Sequence, residues 1–295
     1  MLRFHRSAKK DLADGTIGNV TLGEYLRENN YSELFIDHHI IPMGSAVWST
    51  PTGTMLEFPA LSFLRFLNNH GLLSLTEAPR WKTVVGGSFD YVKKILATLK
   101  GEVFTQRAVS KILRGDTTVE VIDRAGHSER YDKVIIATHA DEAYKLLGDP
   151  SEDEKRLLSV WEYNKNHTIL HSDSCVMPAN RRIWASWNFV REKTPDQKSS
   201  LCLSYHMNNL QGFKTKRNFF VTLNTTREVK PDTIIQQMEY EHPKFTIASM
   251  DTQKELAKLN GKRNTYFCGS YFKYGFHEDA ATSALEVVKL FGMDL

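Results

Sequence analysis

The chain has 295 residues, 38 of them Lys or Arg and 35 Asp or Glu, for a net charge of +3, which is enough length for one large or two modest domains with a sizeable core. Near-neutral charge with no basic run interleaved with aromatics argues against a nucleic-acid partner. No apolar stretch approaches a membrane span, the start MLRFHRSAKK lacks the apolar core of a signal peptide, and the three scattered cysteines (Cys175, Cys202, Cys268) read as buried thiols of a reducing, cytoplasmic compartment.

In chain order, Thr21-Leu-Gly-Glu24 is a capping box that opens a helix to about Asn29, and an apolar-periodic segment runs from Ser32 to Ile41. PMGSAVWSTP then predicts a turn and short helix presenting Trp48 either to a cavity or to the core. A helix from Pro59 to Asn69 stops at Gly71. After Trp81, the Gly86-Gly87 pair follows a short β-branched run and permits positive φ and close backbone approach; SFDYVKKILATLKG then reads as an amphipathic helix ended by Gly101. EVFTQ, AVSKIL, TTVEVID and RYDKVIIAT, separated by Gly115-Asp116 and Gly126, predict a meander whose last strand, Val134 to Ala137, is apolar on both faces.

Helices follow from His139, the second opened by Ser151-x-x-Glu154. Strands are expected at Thr168 to Ser172, Ile183 to Asn188, Leu201 to His206 and Phe219 to Leu223, then helices from Pro231 (DTIIQQMEYEH) and from Thr252 to Leu259. His167 and His171 lie four apart in a predicted strand, roughly 13 Å, too far for one metal ion, and no metal-ligand spacing, nucleophile elbow or Walker loop occurs. The chain closes with a strand, Thr265 to Cys268, a break at Gly269, an aromatic loop with Gly275, and a helix from His277. That unit is either an anion- or oxygen-binding helix start or a capped C-terminal helix with Leu285, Val288 and Leu290 packed inward.

GSYFKYGFHEDAATSALEV resembles the C-terminal flavin motif of the flavin-containing amine oxidase superfamily, in particular its bacterial branch of NAD/FAD-binding oxidoreductases. Four more segments agree in order: IIPMGSAVWSTP, VVGGSFDYV, VIIATHADEA and YEHPKF. The resemblance implies an α/β protein in which an α+β substrate-binding domain (1–80 and 139–245) joins a Rossmann-like FAD-binding portion (81–138 and 246–295). It implies FAD contacts at Gly86, Gly87, Val109, Ala137, Thr138, Gly269, Ser270, Gly275, Phe276, His277, Glu278 and Ala280, aromatic substrate walls at Trp48 and Tyr274, and His277 and Glu278 as catalytic candidates. Ala280 and Ala284 stand where the family usually has glycine or another very small residue.

Family members also open with a βαβ unit carrying G-x-G-x-x-G, which seats the dinucleotide pyrophosphate. In this sequence no two glycines are separated by a single residue; the nearest approach, Gly15 and Gly18, follows a charged segment. Two readings result. The chain is an FAD-dependent oxidoreductase removing a hydride from a C–N or C–C bond of a small amine or an apolar, lipid-like substrate, truncated at its N-terminus; or it is a non-catalytic fragment or subunit whose dinucleotide half comes from a separate chain. Without that unit, the edge near Val134 to Ala137 and Thr265 to Cys268 is expected to be uncovered and to drive homo-oligomerisation.

Overall fold

The first helix has no side-chain cap, whereas the second begins where a side chain satisfies a leading amide. In the computed structural model, which describes residues 1–50, 52–74, 82–193 and 199–293, α1 (Leu2–Asp14) ends at Gly15 in a left-handed conformation and α2 (Leu22–Glu28) starts at Thr21. The Thr21 hydroxyl accepts the Glu24 N–H at 3.2 Å, and the Glu24 carboxylate accepts the Thr21 N–H at 2.8 Å, the reciprocal cap expected from the sequence. Pro51, Trp81 and the expected domain boundary at 80/81 lie outside the described residues.

A continuous helical run follows: α3 (Glu33–Phe35), a π turn (Ile36–Ile40) and α4 (Ile41–Trp48), then α5 (Thr52–Met55) and α6 (Ala60–Asn69). Gly44 allows close packing, since a Cβ there would lie 2.6 Å from the Met55 Sδ. Because α4 continues through Trp48, the indole packs on Phe58 and Phe66 at centroid distances of 4.5 and 4.7 Å and is buried. Trp48 is therefore packed in the core, one of the two placements that the sequence leaves open.

Gly86 and Gly87, at φ 84° and 90°, turn the chain into α7 (Phe89–Thr98), none of whose residues is buried. Neither Val84-Val85 nor residues 102–106 form a strand, so the meander has three strands: β1 (Val109–Arg114), β2 (Val119–Asp123) and β3 (Ser128–Tyr131), all antiparallel. β4 (Val134–Ile136) belongs to another sheet. Its Ile136 is buried but Ile135 is 47% exposed, so only one face is covered rather than both.

After α8 (Ala140–Leu146) and α9 (Glu152–Leu158), capped reciprocally by Ser151, comes a five-stranded sheet of β5 (Glu162–His171), β6 (Trp187–Lys193), β7 (Ser199–His206), β8 (Phe220–Leu223) and β9 (Ile234–Lys244), in the order β6-β7-β8-β5-β9. The short α10 (Met207–Gln211) links β7 to β8. β5 starts six residues before the expected Thr168, and β6 starts at Trp187 rather than Ile183. Pro231–Thr233 forms only a 3-10 turn, and β9 replaces the helix expected there. Cross-strand pairing explains it: His167 Nδ1 meets Glu239 at 3.0 Å and Asn166 Nδ2 meets His242 at 3.0 Å. At the sheet edge, Pro243 removes no ladder bond that the fold needs.

α11 (Ile247–Leu256), β10 (Thr265–Phe267) and α12 (His277–Lys289) complete the chain. β10 pairs with β4 in parallel, Thr265 opposite Val134 and Phe267 opposite Ile136, the adjacency expected from their shared apolar, glycine-bounded character. Thr265, Tyr266, Phe267 and Cys268 are all buried, so β10 is not an uncovered edge. The inward face of α12 carries Asp279, Ser283 and Val287, while Leu290 is 59% exposed, which corrects the expected Leu285-Val288-Leu290 face.

The chain divides into two units, 1–101 with 164–242 and 102–163 with 243–295. Segment 139–163 thus groups with the closing elements, not with the five-stranded sheet as expected. Within that unit α9 packs against α11, and ion pairs join it to the closing segment: Arg156 meets Glu255 at 3.0 Å and Lys262 meets Asp153 at 3.1 Å. Helices with mixed parallel and antiparallel sheets make the architecture α/β.

Candidate functional site

The parallel pair β4–β10 brings two predicted segments together. Cys268 N–H donates to the Ile136 carbonyl at 3.1 Å, and the Thr138 carbonyl lies 3.4 Å from where a Gly269 Cβ would stand. Ala137-Thr138 and Gly269-Ser270 therefore meet at the carboxyl ends of two parallel strands, where open α/β sheets bind ligands.

Three side chains hold the loop between Gly269 and α12. The Ser283 hydroxyl accepts the Gly269 N–H at 2.8 Å and donates to the Ala280 carbonyl at 2.7 Å. Gln253 Nε2 donates to the carbonyls of Tyr271 and Lys273 at 2.8 and 2.5 Å. Asp279, 9% exposed, accepts the N–H groups of Tyr274 and Phe276 at 3.2 and 3.0 Å. The Ser270 carbonyl closes the loop by accepting from Gly275 at 3.1 Å. The Tyr271 hydroxyl is buried without a hydrogen-bond partner among the described residues, and burial raises its pKa well above the ordinary phenol value, so it stays protonated.

Of the catalytic candidates, His277 and Glu278 are exposed on the first turn of α12; the buried acid of that turn is Asp279. Tyr274 and Phe276 are half-buried in the loop. Val109 sits elsewhere, at the start of β1 opposite Asp123. Gly86, Gly87 and Trp48 belong to the other unit. Ser283, Gln253 and Asp279 were not predicted as site residues, although Asp279, Ser283 and Val287 recur every four positions, the spacing of a buried helical stripe.

The glycines separate into two kinds. A Cβ on Gly269 would lie 2.6 Å from the Tyr271 ring and one on Gly275, at φ 95°, 3.2 Å from the Phe245 ring, so both serve the loop's own packing. Above Gly86 and Gly87 the nearest atoms are 4.0 Å away, leaving bare backbone that a planar group can approach. At α12 the donor set suits an electron-rich ring oxygen: a 13-residue helix begins there, its leading amides have no intrahelical acceptor, and Ala280 and Ala281 add only methyl groups. Glu278 and Asp279 in the same turn oppose negative charge on such a ring. Bare backbone at Gly86-Gly87 leaves room for a planar group, and the α12 start suits a neutral ring oxygen better than an anionic one. Among the described residues no cluster of His, Cys, Asp and Glu could hold a metal ion, and no helix is long and apolar enough to cross a membrane.

No protein-family model matches the chain, and no curated protein does. Solved structures match in fold, and they are flavin amine oxidase-family structures. Putrescine oxidase bound to putrescine aligns over 99% of this chain and 74% of its own, at 12% identity and a TM-score of 0.68. A CLA-producing fatty acid isomerase from P. acnes aligns over 93% and 67%, at 15% identity and 0.65, and cyclohexylamine oxidase from Brevibacterium oxydans IH-35A over 94% and 69%, at 11% identity and 0.58. The chain thus spans about two thirds of the isomerase and has its fold.

Proposed function

We propose that the chain belongs to an FAD-dependent oxidoreductase of the amine oxidase type, removing a hydride from a C–N or C–C bond of a small amine or an apolar, lipid-like substrate in the cytoplasm. The observation that carries this reading is the meeting of Ala137-Thr138 with Gly269-Ser270 at the head of α12, because the flavin-motif residues then share one edge. FAD, when bound, would supply the hydride acceptor. The unit of 102–163 with 243–295 would be the FAD-binding portion, and the unit with the five-stranded sheet would bind substrate. Gly86 and Gly87 would offer backbone to a planar ring, and Tyr274 and Phe276, held by Asp279, would form an aromatic wall. The exposed His277 imidazole and Glu278 carboxylate are the titratable groups that a substrate at this turn would meet; they would exchange its proton with water.

The sequence contains no G-x-G-x-x-G, so these 295 residues are expected to hold FAD weakly and to purify colourless. Titrating FAD against the purified chain should give a saturable but weak change in flavin absorbance, diminished in a folded Ala280→Leu variant. No change at about 100 µM protein, a concentration that captures even weak complexes, would sink the FAD reading. A stoichiometric yellow chromophore surviving gel filtration would overturn the expectation of weak binding and require a substitute phosphate site. The second reading, a subunit completed by a separate dinucleotide-binding chain, is favoured by the uncovered apolar side chains of α7, where Phe89 and Ile95 are 64% and 61% exposed. A second copy is the other cover we propose for that helix.

A further inference from the structure

Within the unit of 1–101 and 164–242, the loop from α10 to β8 carries Phe213, Lys214, Lys216 and Arg217, all exposed. One side chain builds this loop. Asn208 Nδ2 donates to the Thr215 hydroxyl at 3.0 Å and to the Arg217 carbonyl at 2.9 Å, and Asn208 Oδ1 accepts the Phe219 N–H at 2.8 Å. Gly212 turns the chain out of α10 in a left-handed conformation, and Phe213 packs on Phe219 with ring centroids 6.1 Å apart. Thr215 is thereby held to α10, and three cations occupy four consecutive positions of one fixed tip.

Nothing acidic opposes that charge locally. Among the described residues Lys214, Lys216 and Arg217 enter no ion pair, and no Asp or Glu occurs from 206 to 219. A second segment leaves the same end of the five-stranded sheet: Trp187, first in β6, lies opposite Tyr205, and Phe220, first in β8, lies opposite His206. The His206 N–H donates to the Ser186 carbonyl at 2.9 Å, and its ring meets Trp184 at 5.5 Å. The turn Arg181–Ile183, just before Trp184, therefore stands beside the end of β7. Arg181, Arg182, Ile183 and Trp187 are exposed, and 174–191 holds no acid. Asp173, which precedes that segment, is buried and engaged by the N–H groups of Cys175 and Lys230.

We infer that this end of the sheet docks on an anionic phospholipid surface, with Lys214, Lys216 and Arg217 among the headgroups and Phe213 at the acyl boundary. A negatively charged leaflet attracts clustered Lys and Arg, and exposed aromatic side chains beside them suit the interfacial zone. Arg181 and Arg182 add to the positive potential of the same end. A nucleic acid matches less well: single strands take aromatic platforms for their bases, whereas Phe213 packs on Phe219 and Ile183 offers no ring. Three cations on one tip give a weak, reversible and salt-sensitive attachment. The surface shares no residue with the flavin site and stands or falls separately from that reading.

Co-sedimentation of the full chain with lipid vesicles tests it. At about 0.1 M salt, phosphatidylcholine vesicles with about 30% phosphatidylserine should bind the chain at least about tenfold better than phosphatidylcholine alone. Raising the salt to about 0.5 M should remove the difference. Lys214→Gln combined with Lys216→Gln should weaken binding about tenfold, whereas the same change at the exposed Lys9 and Lys10 of α1 should leave it unaltered. Phe213→Ser should also weaken binding while the salt dependence persists. Equal binding to both kinds of vesicle, a preference that survives high salt, or equal loss from the α1 pair would overturn the assignment; the first two need no variant. A single-stranded oligonucleotide that binds as tightly as the anionic vesicles, and is lost with Lys214 and Lys216, would overturn it in favour of a nucleic-acid tip.

Discussion

Arg114 has no exposed side-chain surface, so its charge depends wholly on its partners. Its guanidinium donates to the Asp149 carboxylate at 2.9 Å, to the Asp149 carbonyl at 2.7 Å and to both oxygens of Glu154; Arg263 reaches the same Asp149 from the loop before β10. Glu154 also accepts the Ser151 N–H at 2.7 Å, so one carboxylate both caps α9 and neutralises β1. Burial pushes Glu154 up, but the Arg114 and Ser151 hydrogen bonds outweigh it and hold the carboxyl below its ordinary value. A carboxyl lowered in the folded state contributes stability above its unfolded pKa and loses it as pH falls through the folded one. Arg114→Met, which strands a buried carboxylate, should cost about 3–5 kcal/mol in urea denaturation at pH 7. Glu154→Gln should flatten the loss of stability between about pH 5 and pH 3; an acid profile identical to that of the unaltered chain would show that this pair does not carry the pH dependence.

At the scale of elements, α7 is the outlier. It has a Gly-Gly entry and an amphipathic pattern, yet no residue of it is buried, whereas α6 buries Phe63, Leu64, Phe66 and Leu67. Helical stability in proteins comes mostly from packing an apolar face, so α7 amides should exchange with deuterium far faster than those of α6. Equal protection of the two helices would show that α7 is packed against something. The same contrast explains what was legible in the sequence. The caps at Thr21 and Ser151, the stop at Gly71 and the strand-turn-helix from Thr265 are local chemistry, readable from a few adjacent residues. β9 was not, because Ile234–Lys244 becomes a strand through pairing with β5, about 70 residues away in sequence, which local propensity does not contain. Likewise the closing motif points to the exposed His277 and Glu278, and says nothing of the loop that the buried Asp279 holds through the Tyr274 and Phe276 N–H groups.

For the whole molecule, the question is which surface is costly to leave in water. From sequence it was the β4–β10 edge; in the structure Tyr266 and Phe267 are 8% and 0% exposed, and that edge is largely covered, with Ile135 the exception. The exposed apolar side chains gather instead on α7 and its approach: Val85 90%, Phe89 64%, Ile95 61% and Leu99 52%. Leaving these four side chains in water forgoes the roughly 25 cal/mol per Å² that burial would return. A second copy of the chain satisfies that surface at the lowest cost in new chemistry. The expected species is a homodimer burying about 1,200 Å² or more in total. Because Ile95 touches no core, Ile95→Glu should leave thermal stability of the monomer unchanged while shifting light-scattering mass from dimer to monomer. If the unaltered chain is a well-folded monomer across micromolar concentrations, self-association through α7 is wrong, and the helix is either tolerated in water or reserved for a different polypeptide.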